Sequence, residues 1–425
     1  MKRAETNIPE AITTVTAPAK IGSAFMLRNG VTLKNRFFKA AMAEQLADKH
    51  HNPKPGLVTL YKTWAEGGAG LLVTGNLMID RHHLGEPMNV VLDEESDLSL
   101  FREWARAGSS NNTQIWAQLN HPGKQVPNFI QKHPVAPSAI PFEGDLQKHF
   151  EKPRALKEAE IYKIIGQFAR SARLAKEQGF TGVQIHGAHG YLINQFLSTR
   201  HNQRGDKWGG SLENRMRFLL EVYYAIRKEV GDEFPIGIKL NSADFAKGGF
   251  TEKESMQVIV KLDEVGMDLI EISGGTYESM AMADGGTQKE STRRREAYFL
   301  KYAEQARKMS NVPLVVTGGF RSTKGMNDAL ASGATDLIGV ARPMTVQPDM
   351  PKRAMANENY SIKLRALTTG FPALDQATVL NLSWYVTQIV RISKGKKTNP
   401  NTSEWISIVR SFLNQGIYAF RKLRA

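Results

Sequence analysis

Eight short apolar runs recur along the chain, and they constrain its fold more than any other feature. They are RFFKAAM (36–42), AGLLVTGN (69–76), TQIWAQLN (113–120), GVQIHG (182–187), PIGIKLN (235–241), LIEISGG (269–275), PLVVTGG (313–319) and DLIGVAR (336–342). Most end in glycine, asparagine or another polar residue. Continuous apolar strands suit a parallel sheet buried on both faces. The stretches between them are longer. SLENRMRFLLEVYYAIRKEV and EKESMQVIVKLDEVG both carry the 3.6-residue apolar period of a helix. Eight strands alternating with helices predict a (β/α)₈ TIM barrel, class α/β. A doubly wound sheet is the alternative, but its dinucleotide-binding form needs a GxGxxG turn after the first strand, which is absent. Chemistry in a barrel sits at the strand C-termini. Met42, Asn76, Gln118, His186, Lys239, Gly275, Gly319 and Arg342 are therefore expected at or near one rim.

The 425 residues allow one barrel with additions. Residues 1–21 read as an N-terminal arm, 22–350 as the barrel and 351–425 as a basic helical extension. The proline-rich connection over 121–155 and the one over 276–299 are long enough to be lids or specificity loops. The second carries Arg293, Arg294 and Arg295, candidates for a substrate group or a nucleotide phosphate. The extension holds twelve Lys/Arg against three acids, most of the formal charge of +14. A solvated surface is the plainer reading of that charge; an acidic partner is the other. Its aromatics, Trp384, Tyr385, Trp405, Phe412 and Tyr418, are expected to be buried against the barrel.

There is no cysteine, which excludes disulfides, thiolate nucleophiles and Cys-held zinc or iron–sulfur clusters. No stretch approaches the ~20 apolar residues of a membrane span. The first residues lack the apolar core of a secretory signal, so a cytoplasmic protein is expected.

Three groups could carry chemistry. In TGVQIHGAHGYLINQF, His186 and His189 could donate N–H groups to one developing negative oxygen, with Tyr191 as a proton donor. They could instead be buried imidazoles satisfied by backbone, or a metal pair completed by His121. Gly318 and Gly319, with Ala341 and Arg342, end the seventh and eighth strands, where barrels commonly hold phosphate. Gln118 offers both donor and acceptor to a heterocycle edge, and Lys239 offers a cation.

Together these residues resemble the Old Yellow Enzyme family. The likeness rests on LRNGVTLKNRFFKAAMAE, GGAGLLVTGN, QLNHPGKQ, HGAHGYLINQFLST with HNQRGDKWGGSLENRMRF, IGIKLN, TGGF and VARP. It implies non-covalent FMN across the strand ends. It also implies NAD(P)H as hydride donor and hydride delivery to the β-carbon of an activated alkene. By the same resemblance, Ala41, Met42, Asn76, Gln118 and Lys239 would contact the flavin. Gly318, Gly319, Ala341 and Arg342 would cradle its phosphate. His186 and His189 would hold the substrate oxygen, and Tyr191 would protonate the α-carbon. The chain departs from the family at Ala41 (commonly Pro), Ala43 (Thr or Cys in parts of the family), Lys239 (commonly Arg) and Ala341 (usually Gly). The cluster-bearing two-domain branch needs four cysteines, so no iron–sulfur cluster is expected. An FMN oxidase or dehydrogenase of an amine or alcohol is the alternative. A metal-dependent hydrolase and a basic nucleic-acid-binding protein are readings of another class. A small-molecule substrate, no nucleic acid and a homo-oligomer complete the expectations.

Overall fold

The computed structural model describes residues 19–276, 297, 299–371, 375 and 378–419. The barrel strands are β1 Phe37–Lys39, β2 Leu71–Met78, β3 Gln114–Asn120, β4 Gly182–Gly187, β5 Ile236–Asn241, β6 Leu269–Ser273, β7 Leu314–Thr317 and β8 Leu337–Val340. Each apolar run thus supplies one strand. All pair in parallel with their neighbours, and β8 returns to β1 through Ile338↔Phe37 and Val340↔Lys39. The barrel is closed.

Its lower interior is apolar. Phe38, Leu71, Val73, Trp116, Leu269, Val315 and Leu337 form one buried cluster, to which Leu27 and Leu33 add from the N-terminal hairpin region. Trp116 is the largest of these, and two strand glycines make room for it. A Cβ on Gly182 would lie 2.4 Å from its indole nitrogen, and one on Gly237 would lie 2.7 Å from its ring. Above this layer the inward residues turn polar: Gln118, Gln184, Lys239, Glu271 and Thr317, all buried.

The outer ring includes α1 Pro55–Glu66, α2 Leu98–Gly108, α3 Glu158–Glu177, α4 Leu212–Val230, α5 Glu252–Glu264, α6 Leu300–Arg307 and α7 Thr323–Ala331. Their starts are written locally. Ser211 accepts the Asn214 N–H to cap α4. Thr251 and Glu254 cap α5 reciprocally.

The extension supplies α8 Thr378–Ser393 and α9 Glu404–Ala419. α8 lies against α1, and its Ile389 and Ile392 join the same outer core as Leu57, Leu60 and Trp64. Trp384 is buried and donates to the Thr402 carbonyl at 2.9 Å. The expectation for Trp405 and Phe412 needs correction. Trp405 is 44% exposed and Phe412 is 64% exposed. α9 buries Ser407 and Ile408, while Trp405 and Phe412, two turns apart on another side, face water. Aromatic content signals a need for cover but not which side of a helix receives it. The Tyr418 side chain and Arg293–Arg295 lie outside the described residues. Among the described residues, no helix is long and apolar enough to cross a membrane.

Candidate active site

Strand register gathers the polar positions at one end of the barrel. Asn76 pairs with Gln118, and Gln118 with Gln184. His186 pairs with Lys239, and Lys239 with Glu271. Side chains two apart on a strand share a face, so Gln184 and His186 both point inward.

The two imidazoles stand at the end of β4. Their ring centroids are 5.3 Å apart at 75°, and the Tyr191 ring lies 4.8 Å from His186. His186 Nδ1 accepts the Ala188 backbone N–H at 3.3 Å. That places its own proton on Nε2, as a donor. His189 has a left-handed backbone, φ +60°, which a non-glycine residue adopts only when its surroundings hold it. They do so here. Its N–H donates to Asn241 Oδ1 at 3.1 Å, and the next N–H, Gly190's, donates to Asn194 Oδ1 at 2.6 Å. Asn194 and Asn241 both donate to Asp244, at 3.0 and 3.2 Å. His189 Nε2 lies 2.7 Å from Ser273 Oγ. Burial and then the nearby Lys239 lower the His189 pKa to about 3. Burial, His189 and Lys239 push His186 well below its ordinary value. Both rings are therefore neutral at physiological pH, and His186 presents an Nε2–H.

The metal reading finds no support in this geometry. Among the described residues, no three His, Asp or Glu side chains stand together as ligands. His121 Nδ1 instead accepts the Gly123 N–H at 3.1 Å, and its ring lies 4.7 Å from His83.

Gln118 and Lys239 meet side chains that sequence reasoning passed over. Gln118 Nε2 donates to Gln184 Oε1 at 2.7 Å, and Gln184 donates to Glu271 at 2.9 Å. Lys239 Nζ lies 3.1 Å from Glu271 Oε1, which also accepts from Thr317 at 2.8 Å. Gln118 Oε1 is buried and, among the described residues, accepts no hydrogen bond. A signal for Gln184 and Glu271 was present: each is a polar residue inside an apolar run, in phase with a rim residue.

Ala41 and Ala341 are half-buried and pack on the inner cluster; Met42 packs on the outer core. A buried ion pair ties the end of β1 to β2. Lys39 donates to the Val73 carbonyl at 2.8 Å and sits 3.6 Å from Glu44, whose Oε1 accepts from Gly75 and Tyr61. Burial lowers Lys39 to about 8 and raises Glu44. Gly318 and Gly319 both have positive φ, 106° and 98°, which explains glycine at both places. The Arg342 guanidinium sits 6.0 Å over the ring of Tyr385, a residue of α8. No local pattern in the sequence connects those two positions.

Comparison with known proteins yields four findings. Residues 22–360 match the model of the NADH:flavin oxidoreductase / NADH oxidase family. The NADH-dependent flavin oxidoreductase iliE of Hypocrea jecorina is 39% identical over 80% of this chain and 92% of its own. Among solved structures, an old yellow enzyme homologue from Zymomonas mobilis superposes with a TM-score of 0.70 at 25% identity, covering 84% of this chain and 98% of its own. A 2-naphthoyl-CoA reductase complex superposes at 0.73 with 28% identity over 79% of this chain. This chain spans about half of that reductase, 52%.

Proposed function

The chain belongs to the NADH:flavin oxidoreductase / NADH oxidase family of Old Yellow Enzymes, and from that premise we propose that it binds one FMN and reduces activated C=C bonds at the expense of NAD(P)H. The residues fit such a group. The unsatisfied acceptor at Gln118 Oε1 suits a ring N–H of the flavin pyrimidine edge. The glycine turn at 318–319 with Arg342 suits a monophosphate. When bound, FMN would supply the hydride it takes from the nicotinamide.

The chain's own residues do the rest. His186, through Nε2–H, and His189 would hold the carbonyl oxygen of an α,β-unsaturated substrate. Negative charge builds on that oxygen as hydride reaches the β-carbon. Neutral donors fixed in place beforehand stabilise it without reorganising. Tyr191 would deliver its phenolic proton to the α-carbon. Lys239, paired to Glu271, would place a cation at the pyrimidine side. Arg342, braced by Tyr385, would meet the phosphate. One observation carries this reading: a neutral His186–His189 pair, oriented by backbone and Ser273, with Tyr191 against it.

Half-reactions separate the roles. The double variant His186→Ala, His189→Ala is expected to lose phenol and enone binding while keeping a reducible flavin. Loss of one such donor typically lowers the rate on the order of 10²–10³-fold. Tyr191→Phe is expected to slow alkene reduction and leave flavin reduction by NAD(P)H near normal, by stopped flow. An untouched oxidative half-reaction in Tyr191→Phe removes the proton-donor role.

A further inference from the structure

Two glutamine side chains stand at the turn that follows β3 and at Gly190, and their hydrogen bonding differs. Gln195 is used up by the backbone. Its Nε2 donates to Pro122 O at 3.1 Å and Gly190 O at 2.7 Å, and its Oε1 accepts the Lys124 N–H at 3.3 Å. Those bonds clamp the 122–125 turn onto Gly190. Gln125, in the same turn, is 1% exposed, yet among the described residues its Nε2 and Oε1 make no hydrogen bond. A buried carboxamide left unpaired on both sides keeps the full desolvation cost of each unmet group.

Its position supplies a reason. A Cβ on Gly190 would lie 2.6 Å from Gln125 Oε1, and Gly190 separates His189 from Tyr191. The orphaned amide therefore lies against the backbone link between the oxygen-holding pair and the phenol. Burial does not set it apart from the site, since His186 is 4% and Tyr191 5% exposed. Gly190 has φ +78° and no room for a side chain, so the turn itself keeps Gln125 at this place.

We propose that Gln125 is a substrate-recognition residue, and that the substrate is an activated alkene carrying, beside the carbonyl held by His186 and His189, a second group with both an N–H or O–H donor and an acceptor. An imide, lactam or primary amide has that pairing; a simple enone does not. A carboxamide is complementary to such an edge, donor to acceptor and acceptor to donor. Sites built to hydrogen-bond a substrate group reject analogues that lack it, because the protein's polar atoms then stay unpaired. The inference rests on the ene-reductase reading above.

The test uses the flavin-loaded enzyme, Gln125→Leu, and three probes: maleimide, N-methylmaleimide and 2-cyclopentenone. Gln125→Leu is expected to raise KM for maleimide at least tenfold and to leave the other two unchanged. Binding of unreactive succinimide and N-methylsuccinimide, followed by flavin absorbance, gives the same comparison without turnover. If the wild type reduces none of the alkenes but its variant still loses succinimide selectively, the ene-reductase reading fails and the recognition role stands. Gln125→Leu is also expected to raise the melting temperature of the ligand-free enzyme, since it removes two unmet polar groups; a residue with only a structural role would lower it. Equal shifts for all probes, no shift for any, or a lowered melting temperature would overturn the proposal.

Discussion

His189 stores acid sensitivity in the folded state. Its pKa is about 3 in the fold against an ordinary 6.5, first by burial and then by Lys239. Between those values the unfolded chain binds a proton that the folded chain refuses. The stability that His189 contributes is therefore complete above pH 6.5 and is lost as pH falls toward 3, at up to about 1.4 kcal/mol per pH unit. His186 shifts in the same direction, also by burial first. His189→Asn is expected to flatten the fall in urea-unfolding free energy between pH 7 and pH 4. An unchanged slope would assign the sensitivity to other groups. The imidazoles themselves were legible because the family block around them is long and local. Gln184, Glu271 and Gln125 were not read, since their meaning lies in partners on other strands or in the lack of partners. Gln125 in HPGKQ looks the same in sequence whether its amide is filled or empty.

At the scale of elements, strand identity was legible and strand extent less so. Both faces of a parallel barrel strand are covered, so apolar continuity marks each one. Yet β1 keeps three residues of its seven-residue run. After Ala40, whose N–H still donates to Val340 O, the chain leaves the ladder and Met42 turns to the outer core. The irregularity between Val73 and Asn76 in β2 is set by its pairing with β3, which no local pattern records. The extension is the element whose role was least legible, because Tyr385 meets Arg342 only 43 residues further along the chain. Burial raises the Tyr385 pKa, so its ring stays a neutral face for the guanidinium. Such a contact is worth about 0.5–2 kcal/mol. Tyr385→Leu is expected to weaken FMN binding several-fold in a fluorescence titration, and Tyr385→Phe to restore it. Equal affinity for wild type and Tyr385→Leu would leave α8 with a packing role alone.

At the scale of the whole molecule, the question is whether the extension is a second folding unit or part of the barrel. Three contacts argue for one unit. Ile389 and Ile392 lie in the same core as α1. A Cβ on Gly56, in α1, would lie 3.1 Å from Ser393, so the two helices approach closely. The Thr398 hydroxyl donates to the Val346 carbonyl at 2.6 Å, tying the stretch after α8 to the stretch after β8. A separate domain would share little apolar core and would melt alone. Ile389→Ala removes a side chain that is 1% exposed, a change that typically costs 2–5 kcal/mol, or about that here. If the core is shared, that cost falls on the whole structure. Calorimetry is then expected to show a single transition moved to lower temperature, with flavin release moving with it. A barrel transition and flavin release at wild-type temperature, beside an earlier melt of the tail, would instead make residues 351–425 an independent unit.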